Sequence, residues 1–91
     1  MNIHDIIANE FVETKSIASF IYLIELGREV ELSYKKYILF VSRDGAKKDF
    51  SIWVDKDEQS FNSVEELLLD GQIFGKNILE IWNEIEINSL L

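Results

Sequence analysis

The chain has 91 residues, no cysteine and no proline, with 17 Asp/Glu against 9 Lys/Arg and a formal net charge of −8. That length builds one core covering roughly 60–65% of the unfolded surface, and an apolar fraction of 47% is globular rather than disordered. The composition excludes disulfides, thiol nucleophiles and thiolate metal sites, and the acidity opposes general binding to nucleic-acid backbones or anionic lipid.

The charge is unevenly spread. Residues 28–56 carry seven Lys/Arg against five Asp/Glu, whereas residues 57–91 carry only Lys76 against eight acids. No apolar run approaches the ~18 residues of a membrane helix. The first ten residues lack the basic start and small-residue cleavage site of a signal peptide. With no cysteine, the expected compartment is reducing and cytoplasmic.

Ile3, Ile6, Ile7 and Phe11 follow helical spacing behind Asn2, an N-cap type. Ser16 can cap a second run, Ile17, Phe20, Ile21 and Ile24, which Gly27 ends. Thr14, Lys15 and Ser16 either separate two helices or interrupt one. A single helix over residues 3–26 would be ~36 Å long, more than so small a core covers. Residues 1–14 would then project as a helical extension and invite a second copy.

A strand region follows. Val30, Leu32 and Tyr34 alternate with Glu29, Glu31 and Ser33, so the apolar set faces inward. Lys35-Lys36 reads as a hairpin turn, and residues 37–41 are apolar on both faces, as in a central strand. Asp44-Gly45 marks the next turn. Beyond it Phe50, Ile52 and Val54 face one way, with Ser51 and Trp53 facing the other. The expectation is a three-stranded antiparallel meander whose second face shows Ile38, Phe40 and Trp53. That face is either covered by another element or open as a binding surface.

Ser63 and Glu66 form a capping-box pair that opens a short helix through Leu67, Leu68 and Leu69, stopped by Gly71. Asn77 and Glu80 can cap a last helix with Ile78, Ile81, Trp82 and Ile85 at i, i+3, i+4 and i+7. The fold class is therefore α+β: an N-terminal helix or helix pair, the meander and two short C-terminal helices, in one domain over residues 1–91.

From about residue 28 to 87 the chain resembles small proteins of low-GC Gram-positive bacteria and their mobile elements, which share an EELL…GKxLxEIWxEIEI-like ending. The matching residues are Ser63-Val64-Glu65-Glu66-Leu67-Leu68, Gly75-Lys76, Leu79-Glu80-Ile81-Trp82 and Glu84-Ile85-Glu86-Ile87. The resemblance implies an origin but no activity, so no functional residue carries over.

Catalytic chemistry finds little to use. The only histidine, His4, lies near a terminus and reads as exposed and inert. The acid pairs Glu65/Glu66, Glu84/Glu86 and Glu29/Glu31 read as solvated faces, so no enzyme and no cofactor are expected. Asp55, Asp57, Gln59, Ser63 and Glu66 occupy the first, third, fifth, ninth and twelfth places of an EF-hand-like calcium loop. Ser60 stands where that loop needs glycine and Asn62 where it needs an apolar residue, so a solvated strand-to-helix loop is the simpler reading. Lys35, Lys36, Arg43, Lys47 and Lys48 around Tyr37, Phe40 and Trp53 could stack a single nucleic-acid strand on the sheet. The acidity favours the plainer assignment of edge lysines and core aromatics.

The leading expectation is a small acidic protein-binding module, an inhibitor, immunity or anti-defence (anti-CRISPR-like) protein of bacterial or phage origin. Its partner would present a basic surface. Glu65, Glu66, Asp70, Glu80, Glu84 and Glu86 would supply contact charge from one anionic patch, with Phe40 or Trp53 as apolar anchor. The alternative is a self-associating structural protein, a homodimer through the N-terminal helix.

Overall fold

The structure is a computed structural model that describes residues 2–45 and 49–91. Asn2 Oδ1 accepts from the Asp5 N–H (2.9 Å) and opens α1 (Ile3–Thr14). The helix ends where Lys15 takes a left-handed φ of 56° and donates its N–H to the Phe11 carbonyl (2.7 Å). Ser16 Oγ then accepts from the Ser19 N–H, opening α2 (Ile17–Glu25). Two helices form rather than one long rod. The first is not a projecting extension, because Phe11 is fully buried with its ring 5.8 Å from that of Phe20.

α2 closes on Gly27 at φ +96°. The Gly27 N–H reaches the Ile24 carbonyl and the Arg28 N–H the Leu23 carbonyl, each at 3.0 Å, a Schellman closure. Arg28 also donates to the Leu91 carbonyl and to His4 Nε2 (2.6 Å). His4 is thus a half-buried acceptor that ties α1 to the chain's last residue, not an idle surface group.

The sheet follows with β1 (Val30–Tyr34), β2 (Tyr37–Asp44), β3 (Asp49–Val54) and β4 (Asp57–Phe61). The turn expected after Asp44-Gly45 runs into residues 46–48, which with Lys47 and Lys48 of the nucleic-acid reading lie outside the described residues. Then come α3 (Val64–Asp70), a minimal hairpin of β5 (Gln72–Ile73) and β6 (Lys76–Asn77), and α4 (Ile78–Ile81). A single 3₁₀ turn over Trp82–Glu84 leads into β7 (Ile85–Leu90).

The main sheet has five antiparallel strands in the order β4-β3-β2-β1-β7, two more than the expected meander. Both extra strands have physical reasons. β4 carries the polar run Asp57 to Ser60, yet pairing with β3 satisfies its backbone, and only Gln59 and Phe61 need to face inward. β7 replaces the C-terminal end of the expected last helix. Ile85 and Ile87 alternate, and their strand pairs with β1, whose edge would otherwise be left open.

α2 and α3 pack on one face of this sheet. The shortest dimension of the molecule, 19 Å, holds one helical layer on one sheet, whose centres lie about 10 Å apart. The core joins Phe11, Phe20 and Leu23 of the helix pair to Leu32, Leu39, Val41 and Ile52 of the sheet and to Leu67, Ile78 and Ile81 behind them. Trp82 closes it, with its ring edge-on to Phe20 at 5.2 Å and its Nε1–H donated to the Lys15 carbonyl at 2.9 Å. Lys15 Nζ in turn donates to the Ile85 carbonyl, so the interhelix corner is fastened to the start of β7. α3 ends at Gly71, whose extended ψ of 129° turns the chain out of the helix, and a Cβ there would stand 2.6 Å from the Leu67 carbonyl oxygen.

Candidate interaction surface

Alternation in the strands sorts their side chains into two faces. Tyr34, Leu32 and Val30 point to the helices with their cross-strand partners Tyr37, Leu39 and Val41. The residues between them must point the other way. Register aligns four of these in one row across four strands: Glu31 opposite Phe40, Phe40 opposite Trp53, and Trp53 opposite Glu58. Directly opposed side chains have Cβ atoms about 4.5–5.5 Å apart, so the row is continuous. Next to it, Glu86 of β7 stands opposite Ser33, which stands opposite Ile38.

None of the helices packs on this second face. Trp53 remains 38% exposed and Ile38 46%, with Phe40 half-buried between them. The result is an apolar centre rimmed by carboxylates: Glu31 and Glu86 on one side, Glu58 on the other. No Lys or Arg among the described residues forms an ion pair with these three acids. Ser42, Ser51 and Ser60 continue the face in the other direction, with Ser51 and Ser60 hydroxyls 3.3 Å apart.

β7 contributes a bulge. Its register slips between Glu31 and Leu32, which pair with Ser89 and Ile87 and leave Asn88 as the extra residue. The Asn88 amide donates to Glu31 (3.3 Å) and accepts from the Ser33 hydroxyl (3.2 Å), holding Glu31 in place at the rim.

The six carboxylates expected to converge do not form one patch. Glu65 and Asp70 are exposed on α3, in the layer that packs on the opposite sheet face, and Glu84 is exposed in the 3₁₀ turn. Glu66 accepts from the Asn62 N–H, and Glu80 completes a capping box with Asn77, so both serve helix starts. Of the six, Glu86 alone lies on the same sheet face as Phe40 and Trp53, two and three strands away from them.

The calcium-loop positions do not converge either. Asp55, at φ +54°, sits in the β3–β4 turn, and Asp57 begins a strand. Gln59 spends its amide on both backbone groups of Gln72 (2.8 Å each), and Ser63 Oγ caps α3 through the Glu66 N–H. No group of three or more metal-ligating side chains occurs among the described residues.

The stacking platform for nucleic acid is divided in the same way. Tyr37 pairs with Tyr34 on the helix side, so it cannot share a surface with Phe40 and Trp53. Arg43 is committed to the Glu25 carbonyl (2.8 Å) and lies over Phe50.

Glu31, Glu58 and Asn88 were not among the expected site residues. Glu31 and Glu58 reach the site only through cross-strand register, and Asn88 only through the bulge. Strand alternation within residues 57–61 is the one sequence signal that could have found Glu58. Compared with known protein families, with curated proteins and with solved structures, the chain has no match.

Proposed function

We propose that this chain is a small acidic protein-binding module that acts stoichiometrically, as an inhibitor, immunity or anti-defence protein does, by covering a basic-rimmed surface on its partner. The observation that carries the reading is the row Glu31–Phe40–Trp53–Glu58, which puts an exposed indole between carboxylates that form no ion pair among the described residues, on a bare sheet face. Aromatic anchors supply affinity at interface centres, while rim charges set orientation and on-rate. Five strands at ~4.8 Å spacing and six residues at ~3.3 Å make the face about 24 by 20 Å. That footprint suits a compact interface, smaller than the ~800 Å² per partner of a standard one. The complementary surface is an apolar pocket flanked by Lys or Arg.

The test is affinity capture from cells of the source, followed by titration of the purified partner. The double variant Phe40→Ser/Trp53→Ser is expected to lose the partner, whereas Glu65→Gln/Asp70→Asn retains it. Equal loss by both pairs, or retention by the first, counts against the reading.

A second reading, self-association through α1, has its own observation. Ile3 and Ile6, one turn apart, are 70% and 50% exposed. Deleting residues 1–14 is not a clean probe, because it removes the buried Phe11. The variant Ile3→Glu/Ile6→Glu is clean: a dimer in solution that becomes a monomer on this change supports the reading, and a monomeric parent at tens of micromolar removes it.

A further inference from the structure

The two-residue turn Lys35-Lys36 and the turn Phe74-Gly75 meet at one end of the molecule, on the helix side of the sheet. Between them lies a cleft of about 550 Å³ lined by Tyr34, Lys35, Lys36, Tyr37, Phe74 and Lys76. This is within the 300–1,000 Å³ range of small-ligand pockets. Its chemistry is at odds with the rest of a chain of net charge −8. Three of the nine cationic side chains gather here, and none of them forms an ion pair among the described residues. Lys35 Nζ stands 5.3 Å from the Tyr34 ring and Lys36 Nζ 5.8 Å from the Tyr37 ring. Like charges held together without a counter-charge oppose folding, and an arriving anion would relieve that.

Phe74 is the second anomaly. It is 60% exposed and takes φ +51° ahead of Gly75 at φ +85°, in a two-residue hairpin turn. Such turns favour Asn or Asp before Gly, and a bulky residue at positive φ is strained. The ring nevertheless packs beside Tyr37, with centroids 4.2 Å apart and planes tilted by 39°. Neither turn chemistry nor core burial accounts for a phenylalanine here, whereas an aromatic surface open to a flat ligand does.

We propose that this cleft binds a nucleoside phosphate, with the base stacked on Phe74 beside Tyr37 and the phosphates among Lys35, Lys36 and Lys76. A planar ring and a compact cluster of negative charge, carried by one small molecule, match the two halves of the cleft. Carboxylates of an acidic peptide carry single charges spaced along a chain and leave the ring surface without a partner. The ligand is either a free nucleotide or one unit of a single strand, since both present the same chemistry.

The experiment follows backbone amide shifts of the isotope-labelled full chain during titration at low salt with ATP, with inorganic triphosphate and with a single-stranded octanucleotide. Saturable ATP shifts confined to residues 34–37 and 73–76 are expected. Inorganic triphosphate should bind about tenfold more weakly for want of stacking. Phe74→Asn should lose a similar factor while keeping the fold, because asparagine suits the positive φ; a retained thermal midpoint checks this. Lys76→Gln should weaken binding and flatten its salt dependence. Tighter binding of the octanucleotide at the same amides would make a strand the source of the ligand. Silence at millimolar ATP and octanucleotide, shifts centred elsewhere, or undiminished ATP binding by Phe74→Asn would overturn the proposal.

Discussion

Replacing Trp82 by phenylalanine tests the packing that holds the helix pair to the sheet. Trp82 is 6% exposed, and its Nε1–H is donated to the Lys15 carbonyl at 2.9 Å. Phenylalanine keeps an aromatic ring against Phe20 but removes that donor, leaving a carbonyl in a half-buried corner without its partner. Stranding a buried acceptor costs about 1–3 kcal/mol. The smaller ring adds the cost of a partly collapsed cavity, about 1 kcal/mol. The sum, about 2–4 kcal/mol, is a large part of the ~5–10 kcal/mol that holds a domain of this size together. At about 4–8 °C per kcal/mol, the thermal midpoint should fall by roughly 8–32 °C. Urea denaturation followed by far-UV circular dichroism gives the free energy, and the slope should stay unchanged if the folded state is otherwise intact. A loss under about 0.5 kcal/mol, typical of surface substitutions, would show that the indole does not fasten Lys15 and that this account of the corner is wrong.

Three other substitutions probe the packing elsewhere in the molecule. Phe11→Ala should cost about 3–5 kcal/mol in denaturant melts, because the ring is fully buried; a cost below 1 kcal/mol would return α1 to the status of a loose extension. Gly71→Ala should destabilise by about 1–3 kcal/mol, since its Cβ would meet the Leu67 carbonyl oxygen at 2.6 Å and Ile78 Cδ1 at 3.1 Å; an unchanged thermal midpoint would mean that α3 ends with more room than the geometry allows. Gln59→Ala removes both 2.8 Å bonds to Gln72 and should speed hydrogen exchange at the Gln72 amide before that of β2 amides; equal acceleration at both would show that the small hairpin is not locally pinned.

Much of the fold was legible because local signals agreed. Asn2, Ser16, Ser63 and Asn77 each cap the helix they were expected to open, and Gly27 closes the second. The alternation of Val30, Leu32 and Tyr34 placed β1 and its inner face correctly. The failures have a common cause: the deciding partner lay far away in sequence. Ile78, Ile81, Trp82 and Ile85 fit a helix, but Ile85 and Ile87 also fit a strand, and the free edge of β1 selects the strand. β4 shows no apolar run, and its pairing with β3 outweighs its composition. The apolar centre at Ile38, Phe40 and Trp53 could be read from alternation alone. Its acidic rim could not, because Glu31, Glu58 and Glu86 come from three strands and share one sheet face only through register.

The most direct measurement places a photoreactive amino acid at position 40 or 53, and at position 70 as a control, in chains expressed in cells of the source. Irradiation at 40 and 53 should capture the same single protein, one with a basic surface, and position 70 should capture none of it. Capture of that protein from position 70 alone, or no specific adduct from either sheet position, would contradict the claim that the bare face is where this molecule meets its partner.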